Sequence, residues 1–190
     1  MKAAGFRSKK TAGLIAQRDH SLRPIIMKCH EICSRVSPEL MNAVFEFLLE
    51  HEKPVYKAMI QNIASRRKLR PIFIERKAKS ERHLWLQQAL SSKSSNDLVV
   101  QMFQIWLLGA HREMICDFLD LLGIKHDGKG VVDDLPPEPT REALTEAIGK
   151  LLEKHSREVV AVYLHAFQAM DETGWSTLDE ILSADPRIAL

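Results

Sequence analysis

Three groups of side chains in this sequence have types and spacing that could do chemistry. Cys29 and Cys33 lie four residues apart, one turn of a helix, so both thiolates would reach one metal ion if two more ligands came from elsewhere. His126, Asp127 and the pair Asp133–Asp134 bring imidazole and carboxylate donors into one loop, a mixed nitrogen and oxygen set. Arg66, Arg67, Lys68, Arg70, Arg76, Lys77, Lys79 and Arg82 place eight cations between positions 66 and 82, against Glu75 and Glu81. Such a run is able to track a phosphate backbone.

The first two groups carry less than the third. No second cysteine pair supports Cys29 and Cys33, and both sit on or beside the apolar face through Ile25 and Ile32, where they read as small core residues. The eight histidines are scattered (His20, His30, His51, His83, His111, His126, His155 and His165) with no HExxH spacing, and the loop donors read as solvated side chains. His165, among Tyr163, Leu164, Ala166 and Phe167, reads as a partly buried core histidine. Gly128-Lys129-Gly130 lacks the preceding strand, the glycine spacing and the hydroxyl of a phosphate loop. There is no serine nucleophile elbow. The sequence therefore assigns no catalytic residue, no metal ligand and no cofactor.

The basic segment gains Lys2, Arg7, Lys9 and Lys10 from the N-terminal arm, but few aromatic residues interleave it, so stacking on single strands is not indicated. Its alternative reading is a solvated helix end partly paired with acidic groups of the C-terminal half. The net charge of +2 conceals a split between the halves. Residues 1–82 hold 18 of the 27 Lys and Arg and 8 of the 25 Asp and Glu. The rest of the chain is acidic, which points to an anionic partner or to two halves that face each other.

The elements that must position these groups are helical. Leu98, Val99, Val100, Met102, Phe103, Ile105, Trp106, Leu107 and Leu108 leave a single polar row of Asp97, Gln101 and Gln104, so this helix must be covered on most sides. A second helix carries Ile115, Phe118, Leu119 and Leu122 and stops at Gly123. Upstream, Ile25, Cys29, Ile32 and Val36 share one face; Ser37-Pro38 caps and opens the next helix; Pro54 restarts the chain. Pro71 to Ile74 reads either as a short extended piece or as a new helix. Downstream of the central pair, 124–140 is the least helical stretch, an irregular loop or small hairpin turning at Asp127 to Gly130 and closed to regular structure by Pro136, Pro137 and Pro139. Helical spacing resumes after Thr140 and again after Ser156, and Trp175, Leu178, Ile181 and Leu182 close the chain.

Three blocks starting near 40, 98 and 159 carry large apolar residues at matching offsets: Phe45, Phe103 and Leu164, then Leu48, Trp106 and Phe167. They suggest three repeated helical units of about 60 residues. At the level of architecture this is similar to HEAT-like and armadillo-like scaffolds, whose repeats are shorter, and no motif carries residues over from them.

The expected fold is all-α, a multi-helix bundle or short α-solenoid of about eight or nine helices, with a basic flexible arm at 1–20 and one helical domain at 21–190. The arm's acid-free start also fits a transit peptide, although it holds one Ser and one Thr. No apolar run reaches the roughly 18 residues that span a bilayer. Three cysteines suit a reducing compartment, and the cytoplasm is the expected location. The expected function is a noncatalytic helical scaffold that binds a protein partner, with no membrane contact. The alternative is nucleic-acid binding through segment 66–82, and an enzyme or metal site near 124–140 stands third. Nothing in the sequence sets the oligomeric state.

Overall fold

The structure is a computed structural model that describes residues 27–133, 136–170 and 174–190. The N-terminal arm, with Lys2, Arg7, Lys9 and Lys10, lies outside them. The described residues form ten α-helices and no strand. These are α1 (Cys29–Arg35), α2 (Pro38–His51), α3 (Lys53–Arg66), α4 (Pro71–Glu75), α5 (Lys79–Leu90), α6 (Asn96–Ala110), α7 (Arg112–Leu121), α8 (Arg141–Lys154), α9 (Arg157–Met170) and α10 (Ser176–Ala184), with a 3-10 turn at Lys93–Ser95 before α6.

Local chemistry sets many of the boundaries. Ser37 Oγ accepts from Leu40 N at 3.1 Å, and Pro38 opens α2, where a missing N–H costs nothing. Thr140 Oγ1 accepts from Ala143 N to start α8. Other caps come from distant side chains. Gln87 of α5 donates through Nε2 to Cys33 O and Val36 O, closing the C-terminus of α1. Glu138 in the loop before α8 accepts from Thr177 N and Leu178 N in the first turn of α10. Loop 124–133 is irregular rather than a hairpin. Asp127 Oδ1 accepts from Lys129 N and Val131 N, and Gly128 and Gly130 both have positive φ. Gly130 has a second reason to be glycine, since an added Cβ would come within 2.8 Å of Ile115 Cγ2.

The core is one cluster running from Cys29 to Ile188. Helix α6 is its hub, packed on α1, α2, α5, α7 and α9. It is not the most enclosed helix, because Leu98, Val100, Ile105 and Leu108 are only half-buried. That place belongs to α9, in which every residue from Val159 to Ala166 is buried between α1, α6, α8 and α10. Trp175 is as enclosed as Trp106, both 2 % exposed. Trp175 is buried because its ring packs on Phe167, with centroids 5.2 Å apart.

The helix order contains the three expected hairpins, α2–α3, α6–α7 and α9–α10, each preceded by one helix, with α4 inserted. The packing is not that of an open stack, in which each unit touches only its neighbours. Helix α1 lies against α9, and Glu158 at the start of α9 accepts from Ser37 N at 2.6 Å and Ser37 Oγ at 2.8 Å. The first and last thirds of the chain close on each other, giving a multi-helix bundle.

No helix of the described residues is long and apolar enough to cross a membrane.

Candidate functional site

The basic segment surrounds the corner where α3 turns into α4. Helix α3 ends in a Schellman arrangement. Leu69 N donates to Ala64 O at 2.8 Å and Lys68 N to Ser65 O at 3.1 Å, with Lys68 between them in the left-handed region at φ 55°. Among the described residues, Lys68 is the only non-glycine residue with positive φ. Pro71 then opens α4, whose one buried side chain is Ile74. In five residues a helix has one inward face, so Ile72 and Phe73 are left outside.

The eight predicted cations divide into two sets. Five are held by the protein itself. Arg66 donates through Nη1 to Ser94 O and Ser95 Oγ, which ties α3 to the turn before α6. Arg67 stacks its guanidinium 4.8 Å from the Trp85 ring centroid. Lys77 pairs with Glu81, and Lys79 with Glu46 on α2. Arg82 donates from Nη1 to Glu75 O at 2.9 Å and so caps the end of α4. The remaining three, Lys68, Arg70 and Arg76, are exposed and make no ion pair or side-chain hydrogen bond among the described residues. The acidic groups that engage this segment, Glu46 and Glu81, come from the N-terminal half. Among the described residues the segment's ion pairs are made within the N-terminal half, where α5 packs on α2, and none with the acidic C-terminal half.

The three free cations lie among exposed apolar side chains. Phe73 is 59 % exposed, and Leu69 and Ile72 are each 42 % exposed. Reading charge alone missed these three. The signal was present in Leu69-Arg70-Pro71-Ile72-Phe73-Ile74, because a proline-opened short helix between basic residues has more large apolar side chains than one inward face can take.

Beneath the corner lies a polar cluster on α2, α3 and α5. His83 Nδ1 stands 2.6 Å from Asn42 Oδ1 and 3.7 Å from Glu46 Oε1, and its ring packs on Phe45 and Tyr56. Since Asn42 Oδ1 accepts, Nδ1 carries the proton. Burial pushes the pKa of His83 down and that of Tyr56 up. His83 and Tyr56 are each 3 % exposed, so they have no access to a substrate and serve to fasten the helices.

The other sequence candidates that the structure describes are core or loop, and Asp134 lies outside the described residues. Cys29 and Cys33 are fully buried, and burial raises their thiols to about 11 and about 12. His126 spends both ring nitrogens locally, on Asp120 Oδ1 of α7 at 3.1 Å and on Gly128 N of the loop at 3.1 Å. His165 is buried and its Nε2 donates to Ile188 O at 3.2 Å. Among the described residues no three His, Cys, Asp or Glu side chains gather as a metal site.

Compared with family models, curated proteins and solved structures, the chain matches none of them.

Proposed function

We propose that this chain is a noncatalytic helical scaffold that docks an acidic surface of a protein partner on the α3–α4 corner. The observation that carries the reading is the coincidence of Leu69, Ile72 and Phe73, all exposed, with three cations that are unpaired among the described residues. An apolar centre ringed by charge is the anatomy of a protein interface, and aromatic anchors contribute most of its energy. Lys68 supports the reading further, because a lysine in the left-handed region costs stability that glycine would not. The three cysteines agree with a reducing, cytoplasmic setting, and a scaffold of three related helical units would place this corner at the end of the first unit.

The second reading, nucleic-acid binding, is favoured by the same free cations, Lys68, Arg70 and Arg76. It gives no role to Leu69 and Ile72, and five of the eight predicted phosphate contacts are already committed within the protein. Fluorescence anisotropy with duplex DNA and RNA at about 50 mM salt, near which phosphate contacts are strong, separates the two. The protein reading predicts no binding. Binding that weakens steeply with salt and is lost on changing Lys68, Arg70 and Arg76 to Ser would replace it with the nucleic-acid reading.

A further inference from the structure

We propose that the partner is a second copy of this chain, bound head to tail. The α3–α4 corner of one copy seats in a cavity on the far side of the next. This deepens the docking reading and rests on it.

The cavity lies between α6, α7, α9 and the 124–133 loop, with a volume of about 460 Å³. Its walls include Leu108, Ile115, Val132, Tyr163 and Phe167, and Val131 at its mouth is 48 % exposed. The loop that carries Val131 is held in place by Asp127, whose carboxylate accepts from Val131 N, and by Gly130 packed close against Ile115. A concave apolar site of this kind accepts an aromatic side chain presented by a convex one. Phe73 is the large apolar side chain most exposed among the described residues.

The charges match as well. The corner leaves Lys68, Arg70 and Arg76 exposed and unpaired among the described residues. Asp133, exposed, lines the cavity, and Glu113 is exposed in the first turn of α7, whose Ile115 forms part of the wall. Opposite potentials across the contact would guide encounter and fix its register. Two corners facing each other would repel, which disfavours a two-fold dimer through this surface.

The two surfaces do not meet within one copy. Helix α4 packs on α3 and α3 on α2, whereas α7 packs on α6 and α8, so α2 and α6 stand between them. A contact between two different patches is heterologous. It leaves one corner and one cavity unused at the ends, so growth continues into a ring or a filament.

Sedimentation velocity on the full chain tests this with two variants, Phe73→Asp and Val131→Lys, both at exposed positions, with circular dichroism to confirm folding. Should Phe73→Asp fail to fold, Arg70→Glu with Arg76→Glu takes its place. At about 50 mM salt, where charge is weakly screened, the unmodified protein should form species larger than two copies. Each variant alone should associate at least about tenfold more weakly, as expected when an interface anchor is lost. An equimolar mixture should associate again and stop at two copies, because the corner of Val131→Lys fits the cavity of Phe73→Asp and both remaining ends are blocked. Three results would overturn the proposal: an unmodified protein that stays monomeric, a single variant that associates undiminished, or a mixture that stays monomeric. In the first case a photo-crosslinker at position 73 tells the two readings apart. Capture of a different protein there leaves the docking reading standing without self-assembly, and capture of nothing removes both.

Discussion

Lys68 holds a backbone conformation at φ 55° that glycine adopts freely and lysine does at a cost. Replacing it with Gly should raise stability by about 1 kcal/mol, since the strain is relieved and the Schellman bonds of Lys68 N and Leu69 N remain. Partner capture should fall, because one of three unpaired cations is lost. A thermal melt together with a capture assay reads both, and a variant that loses stability would show that Lys68 is not strained. Trp106 and Trp175 make the complementary case in the core. Both are 2 % exposed, so each change to Ala should cost about 3–5 kcal/mol, a fall of roughly 6–20 °C in melting temperature. A Trp175→Ala variant that melts like the parent would contradict its place against Phe167.

At the scale of elements, the closure of the bundle depends on Glu158. Its carboxylate takes both the backbone N–H and the hydroxyl of Ser37, so the start of α9 grips the start of α2. Glu158→Ala should cost about 1–3 kcal/mol by leaving those donors unpaired, and Ser37→Ala about 1 kcal/mol by removing the cap of α2. The double variant should cost less than the sum, because the two share one interaction. Strict additivity in denaturant melts would show that the contact is not formed in solution. This tie also marks where sequence pattern stopped being informative. The apolar periods of α2, α6 and α9 and the Ser37-Pro38 start were legible, because periodicity and capping are local. That Glu158 reaches Ser37, that Gln87 caps α1, and that α1 lies on α9 were not, because polar contacts between distant segments leave no period. The candidate site was half legible for the same reason. Its eight cations stand out as a run, but which five the protein would itself hold depends on Trp85, Ser94 and Glu46, whose positions only packing sets. Leu69, Ile72 and Phe73 went unremarked, because only the brevity of α4 leaves them outside.

Across the whole molecule, acid should loosen the bundle through the buried His83 and His165 and the half-buried His111. Burial lowers the pKa of His83, His111 and His165 below the ordinary 6.5, partly opposed at His165 by the Ile188 carbonyl and at His83 by Glu46. A depressed histidine stabilises the fold above its unfolded pKa, and that contribution is lost as pH falls through the folded value. The unfolded chain then binds protons that the folded one refuses. Melting temperature should therefore fall between about pH 7 and pH 5, and His165→Gln, which keeps a donor for Ile188 O, should remove part of the fall. A flat profile would show that these histidines protonate freely in the fold.

The claim that the α3–α4 corner is the working surface of the molecule is tested most directly by site-specific photo-crosslinking in cells. A benzophenone side chain replaces Phe73 in one sample and Lys150, an exposed residue of α8, in another. Prominent protein adducts at position 73 and few at position 150 are expected, with the adducts lost when Lys68, Arg70 and Arg76 are changed to Ser. Equal labelling at both positions, or none at 73, would contradict the claim that this corner docks a protein.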